Sequence, residues 1–244
     1  MTSRRTIALS AALALAGSIA HASGLQVSPV SLSLQPTQNA DGLWLSNSGD
    51  ALVRAQVRVY RWTQEGGDDR LAPSRGLVIS PPMLQLDPEG KQLIRVIRAG
   101  APPASGASED AYRIAIDELP SQDPGRKGLE FVLHYSVPVF VEPAGAPASA
   151  PELHWTLRRD GEHAVLEVAN TGGTHAQLAG LAFTDAAGHR TEVSAGLLGY
   201  VLPGATMRWM LKPPATTFAS GGTLEGKVNG DATTQNVTLV DRAR

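Results

Sequence analysis

The side chains that most often carry chemistry are few in this sequence, and their spacing does not fit a catalytic site. The histidines stand at positions 21, 134, 154, 163, 175 and 189. No two of them have the H-E-x-x-H spacing that brings two imidazoles to one zinc ion. No serine occupies a G-x-S-x-G turn, and there is no cysteine to serve as nucleophile or metal ligand. His163 and His175 flank predicted strands, so we expect them to be solvated rather than metal-bound.

The remaining acid–base and phosphate-binding patterns also favour a protein that is not an enzyme. Asp117 and Glu118 are adjacent, and neighbouring residues of a strand point to opposite faces, so these carboxylates are not placed to share one proton. The glycine pairs lie in turns, and none leads from a strand into a helix, where a phosphate would bind. We therefore expect no catalysis, no cofactor, no metal site and no small-molecule substrate.

Composition narrows the class further. The chain has 244 residues, with 21 Lys plus Arg against 23 Asp plus Glu and a formal net charge of −2. This near-neutral balance does not favour a nucleic-acid partner, whose phosphates attract basic proteins. Apolar residues make up 42% of the chain, enough for a hydrophobic core. The 25 glycines and 17 prolines favour short strands joined by many turns, which indicates an all-β protein.

The first 22 residues have the pattern of a secretory signal peptide. Arg4 and Arg5 are followed by an apolar run at residues 7–20, and Ala20-His21-Ala22 places small residues at the positions that flank a cleavage site. The apolar run is shorter than the ~20 residues that span a bilayer as a helix. The sequence therefore predicts cleavage after Ala22 and export of the remaining chain.

A short linker divides the exported chain into two parts. Residues 143–151 contain only Pro, Ala, Gly and Ser, which is typical of a semi-rigid connection. We predict an N-terminal domain at residues 23–143, a linker at 144–151 and a C-terminal domain at 152–244. Each part is close to the ~100 residues of an immunoglobulin-like sandwich.

Alternating apolar and polar residues, bounded by turn clusters, predict about seven strands in each domain. In the first domain they are expected at residues 25–34, 43–45, 52–62, 78–86, 93–97, 111–119 and 129–141. In the second domain they are expected at residues 153–157, 164–169, 176–184, 191–198, 206–211, 222–228 and 236–240. The predicted fold is two immunoglobulin-like β-sandwiches without substantial helix.

Several stretches of the chain follow one another in an order and spacing that are specific to a family. They begin at Leu45, Val57, Ile79, Gly90, Tyr112, Tyr135 and Leu166, and read LSNSGD, VRVYRW, ISPP, GKQLIRV, YRIAIDELP, YSVPVF and LEVANTGG. Together they resemble the periplasmic chaperones of the chaperone–usher pilus pathway, above all the archaic branch associated with spore-coat-protein-U-like pilins. The resemblance implies a periplasmic location, two domains set at an angle around a cleft, and pilin subunits and an outer-membrane usher as partners.

The resemblance also implies that the last strand of the first domain is donated to a pilin subunit whose own sandwich lacks a strand. Leu129, Phe131 and Leu133 alternate on one face there, Lys127 marks the polar end of that face, and Tyr135 continues it. By periodicity alone, the same side chains fit the interior of their own domain equally well. An exposed strand edge also favours pairing between copies, so a self-capping homo-oligomer of the free protein stays open as an alternative.

The basic residues with which better-known members of the family bind the subunit's C-terminal carboxylate are missing. Residues 28–33 contain no basic residue, and Pro138 stands at the usual lysine position. We expect Arg113 to replace them, since a hairpin around residues 121–127 would set it opposite Tyr135, on the face of Leu133 and near the cleft. Arg95 is the second candidate for this anchor.

Two other classes of protein fit parts of the pattern. An exported pilus subunit or adhesin would share the signal peptide and the sandwiches, but would have one incomplete sandwich. A carbohydrate-binding module would need an exposed aromatic platform. Trp44, Trp62, Trp155 and Trp209 lie in strand patterns, so we expect them to pack in the cores.

Overall fold

The computed structural model describes residues 24–120, 131–145 and 147–241. Within these ranges the regular structure is almost entirely β-strand, with one 3₁₀ turn at Ala215–Phe218. No helix in them has the length and apolar character needed to cross a lipid bilayer. The predicted all-β class is therefore confirmed, whereas the predicted signal peptide lies outside the described residues.

The first domain is a sandwich of two sheets. Its described strands are β1 (Leu25–Ser28), β2 (Leu32–Leu34), β3 (Ala40–Asn47), β4 (Val53–Glu65), β5 (Asp68–Pro73), β6 (Leu77–Ser80), β7 (Met83–Leu86), β8 (Lys91–Arg98), β9 (Asp110–Leu119) and β10 (His134–Val141). One sheet has the order β1-β3-β8-β6. The other has the order β2-β10-β9-β4-β5, with β7 also paired to β4, and it carries the candidate site.

The second domain is a sandwich of two four-stranded sheets. Its strands are β11 (Leu153–Asp160), β12 (His163–Asn170), β13 (Ala176–Asp185), β14 (Arg190–Val201), β15 (Thr206–Pro214), β16 (Gly222–Val228), β17 (Asp231–Val237) and β18 (Leu239–Val240). The sheets have the orders β15-β12-β11-β18 and β14-β13-β16-β17. No described strand is shared between the two domains, so each domain has its own core.

Alternation along each strand decides which residues form these cores. In β4, Val53, Ala55 and Val57 are buried while the intervening Arg54 and Gln56 are partly exposed. In β9, the inward side chains include Ile114 and Ile116, which are fully buried. The period of two residues therefore puts one face of each sheet in the core and leaves the other face to solvent or to a partner.

A buried asparagine closes a corresponding turn in each domain. The Asn47 side-chain amide donates to the carbonyls of Ala51, Leu86 and Asp87, and its Oδ1 accepts from the N–H of Gly49. The side chain of Asn170 similarly donates to two carbonyls and accepts from two backbone N–H groups. Both residues belong to the Asn-x-Gly turns that the sequence marks, where they satisfy backbone groups that strands leave unpaired.

Three strand predictions for the first domain were wrong. Residues 78–86, predicted as one strand, belong to β6 in one sheet and to β7, which pairs with β4 in the other sheet. Residues 25–34 form two strands in different sheets rather than one, with the chain crossing between sheets around Pro29. The sequence predicts no strand between residues 62 and 78, but Gly66 and Gly67 form a tight turn that leads into β5. Their φ angles of 67° and 93° are the left-handed values that a two-residue hairpin turn requires and that glycine adopts without strain.

The tryptophan prediction was correct for only part of the set. Trp62 is 1% exposed, and Trp155 and Trp209 pack partly buried against the second core. Trp44 is 51% exposed, on the outer side of the β1-β3-β8-β6 sheet. Trp44 is exposed because its neighbours Leu43 and Leu45 point into the core, and alternation along β3 directs Trp44 to the opposite face.

Candidate functional site

The site is built on β10, which is paired along its full length on one side only. Antiparallel β9 pairs with all of β10, from His134 opposite Asp117 to Val141 opposite Asp110. Parallel β2 covers only Val139–Val141 on the other side. Within the described part of the chain, no strand pairs with that other side at residues 134–138. We call this side of residues 134–138 the open edge.

The backbone groups of the open edge follow from the hydrogen bonds on the paired side. The N–H of Glu118 donates to the carbonyl of Leu133, and the N–H of Glu142 donates to the carbonyl of Leu34 in β2. Because backbone groups of a strand alternate in direction, the odd-numbered residues of β10 bond to β9. His134, Ser136 and Pro138 therefore direct their backbone groups to the open edge, and Pro138 has no N–H to offer there.

The predicted row of donor residues is only partly free for a partner. Phe131 is 73% exposed, whereas Leu133 and Tyr135 are half-buried against the core of their own domain. The Tyr135 hydroxyl donates to the carbonyl of Leu25 at 2.6 Å, which ties β10 to β1. The strand begins at His134 and not at the predicted 129 in the described residues, and Lys127 and Leu129 lie outside them.

Arg113 lies opposite Pro138, so the predicted position opposite Tyr135 was wrong. Tyr135 pairs with Ile116, a register difference of three residues. An odd difference moves a side chain to the other face of the sheet. Arg113 is therefore not on the face of Leu133, as expected, but on the opposite face, with Ala115 and Asp117. We call this the outer face, since it is turned away from the domain's own core.

The guanidinium of Arg113 lies at the junction of the two domains. It sits 3.7 Å from the ring centroid of Trp62 and 5.1 Å from that of Tyr200 in the second domain. Its Nη1 donates to the carbonyl of Ser136 at 3.3 Å. Among the described residues, no carboxylate forms an ion pair with it. Burial lowers the pKa of Arg113, and the nearby charge of Asp69 opposes this effect. Arginine stays charged in proteins, so a cation without an ion pair in the described residues borders the open edge.

Arg95 occupies a different part of the first domain. It lies in β8, between Gly42 and Ser80, and alternates with the buried Ile94 and Val96. Arg95 is therefore exposed on the outer side of the sheet opposite to the one that contains β10. The structure does not bring the two candidate anchors together.

A charged group lies farther along the outer face, beside the open edge. Asp117 accepts from Arg58 at 2.7 Å and lies 2.6 Å from Nδ1 of His134. Burial, the largest single influence, raises the pKa of Asp117, but the hydrogen bonds and charges of Arg58 and His134 outweigh it and lower the pKa overall. Arg58 is thus committed to a carboxylate of its own domain, unlike Arg113.

The residues that hold the two domains together were not identified from the sequence. Apolar side chains of both domains form a junction cluster of Trp62, Ala111, Phe140, Tyr200, Leu202 and Ala205. Gln64 bonds to the backbone of the second domain at both ends of its amide, and Glu109 accepts from the backbone N–H and Nδ1 of His175. The His175 ring stacks on Phe140 with centroids 3.5 Å apart.

No local pattern could have identified these junction residues, because every contact joins positions far apart in the chain. The sequence predicts a solvated His175 at the surface, but its side chain is only 20% exposed and is bonded to Glu109. This prediction was wrong because the first domain covers the ring. In the described ranges, no three His, Asp or Glu side chains are grouped closely enough to hold a metal ion.

Comparison with known proteins identifies the family. Residues 24–147, just over half of the chain, match the model described as pili and flagellar-assembly chaperone, PapD N-terminal domain. Among curated protein sequences, none matches this chain.

Solved structures show the same fold over most of the chain. One is from the CsuC–CsuE chaperone–tip adhesion subunit pre-assembly complex of archaic chaperone–usher Csu pili of Acinetobacter baumannii, with a TM-score of 0.67, 23% identity, and 88% of this chain and 99% of that chain covered. The Escherichia coli chaperone DraB has a TM-score of 0.59 and 18% identity, with 88% and 96% covered. The Salmonella enterica SafA–SafB pilin–chaperone complex has a TM-score of 0.61 and 18% identity, with the same coverage.

These likenesses confirm the predicted two-domain, immunoglobulin-like fold. The predicted relationship to pilus-assembly chaperones is confirmed by the family model, which covers the whole sandwich that contains β10. The chain belongs to the family of pili and flagellar-assembly chaperones that have the PapD N-terminal domain.

Proposed function

We propose that this pilus chaperone holds a pilin subunit by adding β10, together with the residues that precede it, to the subunit's incomplete sandwich. The observation that carries the proposal is the open edge of β10 with the cation Arg113 beside it. An edge of this kind offers main-chain hydrogen bonds to an extended partner, and apolar side chains next to it fill pockets in that partner.

The open edge offers a limited and ordered set of hydrogen-bonding groups. His134 can donate and accept there, Ser136 can donate while its carbonyl already accepts from Arg113, and Pro138 can only accept. Phe131, which is 73% exposed, precedes the strand and is available to an apolar groove. Burying such a side chain contributes roughly 1.5–3 kcal/mol. Lys127 and Leu129 remain predicted members of the same donated segment.

Arg113 supplies N–H donors near Pro138, the position on the open edge that has no backbone N–H. Pro138 lies opposite Arg113, and Nη1 of Arg113 donates to the carbonyl of Ser136, two residues before the proline. A guanidinium can hold a carboxylate with two parallel hydrogen bonds. Among the described residues no carboxylate forms an ion pair with Arg113, although the charge of Asp69 is close enough to act on it. Arg113 is therefore the proposed anchor for the subunit's C-terminal carboxylate.

We further propose that the protein works in the periplasm and delivers its subunit to an outer-membrane usher. Family membership supports both statements, and it supports a chaperone rather than an enzyme. A pilus subunit or adhesin is the weaker alternative, because the described residues of each domain already form two sheets around a buried core.

Co-expression with its pilin tests the chaperone role. Size-exclusion chromatography of a periplasmic extract should give a soluble equimolar complex, and the pilin without the chaperone should aggregate or be degraded. If this chain instead polymerised alone into fibres, it would be a subunit. If the pilin stayed soluble and monomeric without it, the chaperone proposal would fail.

Substitution of Arg113 tests the anchor. Hydrogen bonds to charged groups contribute about 1.5–3 kcal/mol, so Arg113→Ala should weaken pilin binding by between about tenfold and 100-fold without unfolding the protein. Arg113→Lys should restore part of the affinity, since it keeps the charge but loses the paired geometry. Arg95→Ala serves as the comparison and should bind like the wild type. Full binding by Arg113→Ala, or equal loss in Arg95→Ala, would overturn the assignment.

A further inference from the structure

The guanidinium of Arg113 is bordered by aromatic rings that come from both domains. Trp62 belongs to the first domain and lies under it at 3.7 Å, and Tyr200 belongs to the second domain and lies 5.1 Å away. The two rings also contact each other edge to face, with centroids 5.4 Å apart and an interplanar angle of 81°. Arg113 therefore rests in a corner whose two walls belong to different domains.

Tyr200 is itself fixed from both sides. Its hydroxyl bonds to the side-chain amide of Gln177 at 2.7 Å within the second domain. Its backbone carbonyl accepts from Nε2 of Gln64 in the first domain at 2.9 Å, and Oε1 of the same glutamine accepts from the N–H of Leu202 at 2.8 Å. The position of the Tyr200 ring is thus tied to the arrangement of the two domains.

A free arginine side chain samples many rotamers, and ordering it on binding costs conformational entropy. The faces of Trp and Tyr attract a guanidinium electrostatically and limit its motion without using its N–H donors. In this corner only one N–H of Arg113 is bonded within the described residues, to the Ser136 carbonyl. The remaining N–H donors of Arg113 are held beside the open edge, where the end of an added strand would lie.

We infer that Tyr200 is a positioning residue for Arg113, so that the second domain takes part in carboxylate recognition by holding the anchor rather than by contacting the subunit's carboxylate itself. This inference rests on the proposed function of Arg113. It means that capture of a subunit depends on the relative position of the domains, because a shift of the second domain would withdraw one wall of the corner.

A double-mutant cycle tests the inference with the purified full-length chaperone and its pilin. Tyr200→Leu removes the aromatic face and should weaken pilin binding about threefold to tenfold, within the range of cation–π interactions. Tyr200→Phe keeps the ring and should rescue most of the affinity. In an Arg113→Ala background, Tyr200→Leu should produce little further loss, because its effect passes through the arginine.

Leu202→Ala provides the matched control in the same junction cluster. Leu202 is buried there, and its aliphatic side chain has no ring or polar group that could hold the guanidinium, so any loss that it causes should be the same with and without Arg113. If Tyr200→Leu behaved like Leu202→Ala, with equal losses in both backgrounds, Tyr200 would have only a structural role. The absence of any loss in the wild-type background would equally overturn the inference.

A measurement on the free chaperone separates this inference from the proposed function. The Nε–H resonance of Arg113 should carry a ring-current shift that Tyr200→Leu changes and Tyr200→Phe keeps. A changed resonance together with pilin binding that ignores Arg113 in every variant would refute the anchor, and with it the role of Tyr200 in capture. An unchanged resonance, with binding that still requires Arg113, would refute the positioning role alone.

Discussion

At the scale of single residues, the polar side chains of this chaperone act by satisfying groups that the strands leave open. Asn47 and Asn170 each complete a turn by bonding several backbone groups that are hidden from water. A buried backbone group without a partner costs about 1–3 kcal/mol, so these short side chains matter more than their size indicates.

Asn47→Ala should therefore destabilise the first domain by about 1–3 kcal/mol, since it leaves buried carbonyls without a donor. Urea unfolding followed by circular dichroism measures the effect. Ser48→Ala, at the exposed neighbour, is the control and should change stability little. Equal stability of the two variants would contradict the role assigned to Asn47.

Asp117 makes the first domain's stability depend on pH. Its pKa is lower in the folded protein than in an unfolded chain, where it is about 3.9, despite the opposing effect of burial. Its contribution is thus complete above about pH 4 and is lost as the pH falls through the lower folded pKa. Asp117→Asn should reduce the free energy of unfolding modestly at pH 7 and less at pH 3. A difference that did not shrink at low pH would contradict this account.

At the scale of the element, β10 belongs to its own sandwich and, in the proposed function, also pairs with a subunit, because the groups of a strand alternate. Its odd-numbered residues bond to β9, and Val137 and Val139 bury their side chains in the core. Its even-numbered residues direct their backbone groups to the edge that faces away from β9. β2 covers this edge only at the last three residues of the strand. One strand can therefore belong to its own sandwich and still be added to another.

Hydrogen exchange should distinguish the two sides of β10. In the free protein the amides of His134 and Ser136 should exchange quickly, and that of Val137 should be protected by its bond to β9. Binding of the pilin should protect His134 and Ser136 as well. Strong protection of both amides in a dilute free protein, where copies cannot pair, would mean that the edge is already covered.

At the scale of the whole molecule, the junction decides where the open edge and its cation lie relative to the second domain. Gln64 and Glu109 reach from the first domain to the backbone of the second, and His175 stacks on Phe140. Hydrogen bonds and ring contacts of this kind fix an orientation that a linker of Pro, Ala, Gly and Ser residues would leave free.

His175→Ala should loosen the arrangement of the domains while leaving each core intact, because it removes the stacked ring and one bond to Glu109. Small-angle X-ray scattering should show a broader distribution of interdomain distances. His189→Ala, at an exposed hairpin of the second domain, is the matched control and should scatter like the wild type. An unchanged distribution for His175→Ala would show that the apolar junction cluster suffices.

Much of the fold could be predicted from the sequence, because alternation and turn residues act over a few positions. The alternation of Val53, Ala55 and Val57 predicted the inward face of β4, and that of Ile114 and Ile116 predicted the inward face of β9. The candidate site was harder to predict. A three-residue error in the register of β9 against β10 put Arg113 opposite the wrong residue and on the same face as Leu133.

What the sequence by itself determined is the all-β class, the division into two sandwiches and the family, while the strand that pairs with a partner stays a prediction. These follow from local periodicity and from motifs that keep their order along the chain. Only the tertiary structure decided that Arg113 faces the second domain, that Arg95 does not, and that Tyr200, Gln64, Glu109 and His175 form the junction. Such contacts join residues up to 138 positions apart, and their geometry depends on strand register and domain orientation, which no local pattern encodes.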